Sequence, residues 1–371
     1  MNWTEPSPML LQQASPEEWA SASWQMRHSF TQKSQLEAVL NLSEDEQRAL
    51  DAAGNRLAVR VTPYFLSLID PNDPNDPLRL QMIPRCAELQ SADMENDDPL
   101  SEEHHMVVPG LVHRYPDRVL LLVTDRCASY CRYCTRARLV SGAACHASLK
   151  PDWDAIFSYL EQHAEVRDVL LSGGDPLMMS DAKLRGILTR LRAIKHIEFL
   201  RIGSRVPIVL PQRITPELCA MLREFSPLFL SIHCNHPREL SKEAEIALGC
   251  LVDHGIPLGS QTVLLRGVND DVEVQRALYR RLLQCRVRPY YLYQCDLVTG
   301  SAHFRTPVTQ GLQIMQQLRG YTTGYAIPQF VLDAPRGGGK IHLNPDTIVG
   351  VKDGMMEFVN FKGESYFYPA E

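Results

Sequence analysis

Val119-Leu120-Leu121-Leu122-Val123-Thr124-Asp125-Arg126-Cys127-Ala128-Ser129-Tyr130-Cys131-Arg132-Tyr133-Cys134 reads as a buried strand that runs directly into three cysteines spaced C-x3-C-x2-C. A short, continuous apolar run bounded by polar residues is the pattern of a strand covered on both faces. Three thiolates on one loop can hold three irons of a 4Fe–4S cube, leaving the fourth iron open to an outside ligand. Structural zinc sites normally take two C-x2-C pairs, and no second close cysteine pair occurs in the chain.

Outward from this strand the texture repeats. Apolar runs recur at Val169–Leu171, Ile197–Ile202, Leu228–Ile232, Leu258–Leu265 and Val287–Tyr293. Between them lie segments of helical length and periodicity, among them Trp153–His163, Asp181–Ile194, Pro216–Phe225 and Val272–Gln284. Six strands alternating with helices predict an α/β fold on a parallel sheet, open or curled as a partial barrel, with ligands at the carboxyl ends of the strands. Upstream, Ser15-Pro16-Glu17-Glu18 and Ser43-Glu44-Asp45-Glu46 are capping boxes, and Thr62-Pro63 opens a third helix through Leu68. The proline-punctuated stretch Asp70–Pro77 is a loop. The chain therefore divides into an N-terminal helical region (1–110), a barrel (111–321) and a C-terminal segment of further strands and loops (322–371).

At 371 residues the chain can build one large domain, alone or with a smaller partner. A net charge of −6 lacks the basic footprint of a nucleic-acid binder. Runs such as Val119–Val123 are too short to cross a membrane. Met1-Asn2-Trp3-Thr4-Glu5-Pro6 has neither the basic nor the apolar part of a secretory signal, so a cytoplasmic protein with reduced thiols is expected. The seven cysteines outside the cluster read as small apolar core residues.

Two glycine motifs follow. Ser172-Gly173-Gly174-Asp175-Pro176 lets backbone approach a ligand beside a carboxylate suited to an ammonium, although read alone it is more often a tight turn. Arg336-Gly337-Gly338-Gly339-Lys340 is not a G-x4-G-K-[ST] phosphate loop, because Ile341 follows the lysine. An amine behind three glycines can form a Schiff base with a planar carbonyl cofactor. In isolation, a glycine turn beside a solvated lysine is the commoner reading.

Together these motifs resemble a known family. C-x3-C-x2-C with Tyr133 before the last cysteine is similar to the radical S-adenosylmethionine (SAM) signature. Asp333-Ala334-Pro335-Arg336-Gly337-Gly338-Gly339-Lys340 resembles the lysine segment of the lysine 2,3-aminomutases, which also use pyridoxal phosphate (PLP). His113–Arg118, Cys131–Arg138, Arg201–Arg205, Tyr293–Asp296 and His303–Pro307 resemble that family in the same order, from about Asp98 to Gly350.

The resemblance implies a partial (β/α)6 TIM-like barrel of the radical SAM type, with a 4Fe–4S cluster on Cys127, Cys131 and Cys134. SAM would chelate the open iron, with Ser172, Gly173, Gly174 and Asp175 at its methionine part and Ser204 and Gln261 as further contacts. Lys340 would carry PLP, with Arg114, Tyr115 and Arg118 at the phosphate, as guanidinium forks suit, and Tyr293 near the ring. Arg136 would take the substrate α-carboxylate. Asp296 and Asp333 would take the distal ammonium of lysine, two acids together offsetting the desolvation of a side-chain cation.

The implied activity moves the α-amino group of L-lysine to the β-carbon, giving β-lysine, an isomerase reaction begun by a 5′-deoxyadenosyl radical and fed by an external electron donor. Family members are commonly homo-oligomers. Arginine or another cationic amino acid also suits paired acids, as does a lysine of a translation factor. A non-catalytic iron–sulfur protein and a structural zinc protein are the readings from other classes. Three positions depart from the family. Arg336 stands at a usual glycine and places a second cation near Asp333, and Ala137 replaces an arginine of the run after the cluster. The chain ends at Glu371 without the cysteine-rich extension that carries zinc in many members, and Asp271 stands where they place another zinc cysteine, so no zinc is expected.

Overall fold

The computed structural model describes residues 14–52, 58–140 and 149–370; Met1–Pro6, read for a signal, and Glu371 lie outside them. One sheet runs in chain order through Met106–Val108 (β1), Leu111–Tyr115 (β2), Arg118–Thr124 (β3), Asp168–Gly173 (β4) and Phe199–Ser204 (β5). It continues through Leu228–His233 (β6), Leu258–Leu264 (β7), Arg288–Gln294 (β8), Gln329–Ala334 (β9) and Gly339–His342 (β10). From β3 to β9 every neighbour is parallel, while β1, β2 and β10 join antiparallel at the two edges. β10 does not pair with β1, so the sheet is an open, partial barrel.

The parallel run is one strand longer than six, because β9 joins beside β8. Helix Val308–Leu318 covers it through Gly311, where a Cβ would sit 2.2 Å from the Phe330 ring. His113–Arg118, which without the family reads only as a polar turn, supplies the end of β2 and the turn into β3. Each parallel strand buries alternate residues or both faces, and amphipathic helices such as Asp181–Ala193 close over them with Leu184, Ile187, Leu188 and Leu191. Helix Lys242–Asp253 fills the crossover between β6 and β7. Its Cys250 and His254 meet Cys219 of helix Pro216–Arg223, their donor atoms lying within 4.8 Å of one another, so two cysteines read as isolated in sequence are neighbours in space.

Both capping boxes form: Ser15 and Glu18 exchange backbone and side-chain hydrogen bonds, as do Ser43 and Glu46. The Asp70–Pro77 loop ends one residue early, since Pro77 opens a short helix capped by Asp76. Glu46 does more than cap. Its carboxylate accepts from Arg79 Nε at 2.8 Å and Nη2 at 2.7 Å, with both side chains fully buried. Past the main sheet, Ile348–Lys352, Met355–Val359 and Ser365–Pro369 form a separate three-stranded antiparallel sheet. No helix among the described residues is long and apolar enough to cross a membrane.

Glu46→Ala would leave a buried guanidinium without its counter-charge. Urea unfolding should show a loss of about 3–5 kcal/mol.

Candidate active site

The cysteine loop is held by the neighbouring strand. The Gly174 N–H donates to the Thr124 carbonyl at 2.6 Å and the Asp175 N–H to the Arg126 carbonyl at 2.8 Å. A Cβ on Gly173 (φ +120°) would lie 2.3 Å from the Thr124 oxygen, and one on Gly174 would lie 2.4 Å from the Arg126 oxygen. The glycine pair thus lets two strand ends touch, a role distinct from the ligand approach read in the sequence. The Asp175 carboxylate accepts from Ser204 Oγ (2.7 Å) and from the N–H groups of Leu177, Arg205 and Val206. Asp175 and Ser204 therefore bind each other and lash the ends of β4 and β5 together, while both still line the cavity.

That cavity, of about 290 Å³, is lined by Cys127, Cys131 and Cys134 and equally by Tyr293, Asp296, Asp333 and Lys340. Ser172, Gly173, Gly174, Arg136 and Gln261 complete its walls. Burial pushes the thiols of Cys127 and Cys134 up, the latter to about 11, with neighbouring cysteines adding to the effect. Desolvated thiols stay protonated until a cationic centre displaces their protons, which suits them to an iron cluster.

The amine side comes from the hairpin β9–β10. Lys340 and Asp333 are directly opposed in its register, and Nζ lies 3.0 Å from both carboxylate oxygens. It stands 4.9 Å from the Tyr293 ring centroid. Arg336 does not reach Asp333 as the sequence suggested. It is exposed in the left-handed region (φ 60°), a conformation that explains the usual glycine, and Lys340 takes the acid instead. Asp296 is half-buried, and desolvation with Asp333 beside it pushes its carboxyl up to about 7.

Arg136 is already engaged. Its Nε and Nη2 donate to the buried Glu102 carboxylate, and Nη1 donates to Ser172 Oγ at 3.0 Å. Of five guanidinium N–H groups, one on Nη1 and one on Nη2 remain, forming an edge that can receive a second carboxylate. Glu102 was not foreseen: Ser101-Glu102-Glu103 has the look of a solvated turn, and only the fold brings it to an arginine 34 positions away.

A second cavity, of about 510 Å³, shares Arg136, Gln261, Tyr293, Asp333 and Lys340 with the first and adds Arg114, Tyr115, Arg118 and Arg201. Arg201 pairs with Asp168, and Arg118 pairs with Asp117 over the Tyr115 ring. Arg114 has no carboxylate partner among the described residues, and its buried Nε has no hydrogen bond. A guanidinium that donates through Nη2 to the Leu100 carbonyl yet has no matching carboxylate, beside a lysine amine and an aromatic ring, fits the phosphate, aldehyde and ring of PLP. Tyr115 also holds the lysine strand, accepting the Lys340 N–H at 2.9 Å.

Residues 121–276 match the Radical SAM superfamily, and residues 315–371 match the family described as Lysine-2,3-aminomutase. An L-lysine 2,3-aminomutase of Clostridium subterminale is 48% identical, covering 95% of this chain and 85% of its own length. One of Fusobacterium nucleatum is 49% identical, covering 94% and 81%. A glutamate 2,3-aminomutase of Clostridioides difficile is 41% identical, covering 90% and 78%. The fold is that of a radical SAM enzyme, and the matches make the chain an isomerase. The chain belongs to the lysine 2,3-aminomutase family, whose cofactors are a 4Fe–4S cluster, SAM and PLP.

Gly174→Ala should reduce iron bound per chain to a small fraction of wild type after anaerobic reconstitution, because the added methyl collides with the Arg126 carbonyl. Gly186→Ala, which meets nothing within 4 Å, should leave iron content unchanged.

Proposed function

We propose that the chain is a lysine 2,3-aminomutase in which Cys127, Cys131 and Cys134 hold the cluster, Lys340 holds PLP and Asp296 with Asp333 selects L-lysine. The observation that carries this reading is the one cavity onto which three thiols, an amine and two acids open. When bound, the cluster and SAM supply a carbon-centred radical, and PLP supplies a π-system over which the unpaired electron spreads.

The free edge of Arg136 holds the substrate α-carboxylate while Glu102 and Ser172 fix the guanidinium plane. Lys340 Nζ must lose a proton before it can tether PLP. That loss removes the cation now held by Asp333 and frees this acid for the distal ammonium of the substrate. Asp296 supplies the second negative charge by giving up its own proton. Arg114 and Arg118 hold the phosphate and Tyr293 flanks the ring. Ser172, the glycine pair, Ser204 and Gln261 line the SAM side. The cavity must exclude water, because closure prevents side reactions of reactive intermediates. A glutamate side chain would set a third carboxylate against Asp296 and Asp333, which disfavours that substrate. The enzyme works in the cytosol with an external one-electron donor, as a homo-oligomer.

Anaerobic incubation with SAM, reductant and lysine should give β-lysine, with glutamate inert and arginine assayed separately. Absence of any β-amino acid would refute the assignment. Borohydride should fix PLP to the wild-type chain and not to Lys340→Ala.

The Asp296 carboxyl is neutral below about 7, and a cation binds its charged form. The KM for lysine should therefore rise as pH falls below that value, approaching about tenfold per unit, and level off above it. Asp296→Asn should flatten the acid limb and raise KM on the alkaline side.

A further inference from the structure

One arginine stands against a cluster cysteine. The Arg205 Nη1 donates to Cys131 Sγ at 2.8 Å. Its Nη2 donates to Gln81 Oε1 at 2.7 Å and to Glu239 at 3.1 Å. Its backbone N–H donates to Asp175 at 2.7 Å, fixing where the side chain starts. Arg205 is almost wholly buried, and Gln81, Glu239 and Asn235 are fully so. Gln81 donates to Glu239 at 3.0 Å and accepts from Asn235 at 3.0 Å, so the carboxylate and guanidinium are held in a closed polar network. Neither the substrate contacts nor the PLP contacts use any of these groups.

We propose that Arg205 and Glu239 together set the reduction potential of the cluster, Arg205 raising it through the N–H···S contact at Cys131 and Glu239 trimming that effect. Reduction adds one electron, taken from the external donor, and so adds one negative charge beside Cys131. A buried guanidinium that donates to the sulfur stabilises that charge, and cluster potentials respond to net charge and to hydrogen bonds on sulfur. A fully buried carboxylate 3.1 Å behind the guanidinium opposes it. With little water to screen either, both act at close range. The pair therefore balances two needs: the cluster must accept an electron from its donor yet stay reducing enough to cleave SAM. Arg205 is a positioning residue, acting through Cys131 and not on the substrate.

This inference rests on the assignment of Cys127, Cys131 and Cys134 to the cluster, and the two are read separately. Iron content of the anaerobically reconstituted full chain tests the assignment. EPR-monitored redox titration without lysine, on wild type, Arg205→Gln, Arg205→Lys and Glu239→Gln, tests the inference. Arg205→Gln should lower the midpoint and Glu239→Gln should raise it. Each should change the reduced-to-oxidised ratio at a fixed potential at least tenfold, equivalent to about 59 mV for one electron. Arg205→Lys, which keeps the charge, should lie nearer to wild type than Arg205→Gln. If Arg205→Gln fails to hold iron, Arg205→Lys and Glu239→Gln decide the matter by shifting in opposite directions. A purely structural arginine gives no opposed shifts. An iron-loaded wild type with variants that leave the midpoint unmoved, or move it in one direction only, overturns the inference and spares the assignment; an iron-free wild type overturns both.

Discussion

Two backbone hydrogen bonds, from Gly174 to the Thr124 carbonyl and from Asp175 to the Arg126 carbonyl, are the constraint on which the site depends. They press the cysteine loop against the end of the adjacent strand at a distance that admits no side chain on either glycine. From that seam the order propagates outward. Asp175 takes Ser204 and the start of the next turn, and the turn carries Arg205 to Cys131. Three cysteines that make no bonds to one another thereby face one cavity. The opposite wall is built independently by the antiparallel pairing of Lys340 with Asp333. A parallel sheet with two antiparallel strands added at one end and one at the other carries both walls.

Much of this was legible in the residues, for identifiable reasons. The six parallel strands were apolar runs between polar helices, and each is found within a few residues of its expected place. The largest slip is at Ile197–Ile202, observed as Phe199–Ser204. Ile197 is buried by a turn after the preceding helix, which composition does not distinguish from a strand. β2 was obscured because its last three residues break the apolar pattern: Arg114 and Tyr115 line a polar cavity, and His113 packs against Tyr159 and His163. The seventh parallel strand was seen only as part of a tail of strands, because partner choice is a tertiary property. The cysteines and Lys340 stood out in sequence as chemistry that tolerates few substitutes, and the fold brings them onto one cavity. Glu102, Gln81 and Glu239 did not, since each matters through a partner at least 34 positions away.

Charge arrangement unifies the site. Arg136 has Glu102, Lys340 has Asp333 and Arg205 has Glu239. Among the described residues Asp296 makes no ion pair, and desolvation beside Asp333 raises its carboxyl to about 7. Asp175 also lacks a cation but has its carboxylate satisfied by Ser204 and backbone N–H groups. Arg114 carries an unmatched positive charge in the adjoining cavity, which leaves Asp296 as the acid suited to receive a cation. Arg336, by contrast, turns outward at the tip of the glycine segment and leaves the interior balance untouched.

The lysine strand is the last element of the main sheet, and its N–H is anchored on a tyrosine 225 positions earlier. A ribosome therefore releases the three clustered cysteines well before Lys340. In the growing chain the wall that carries the thiols exists before the wall that carries the amine. Contacts of such long span are slow to form, and this one cannot exist until both ends of the sheet have been made.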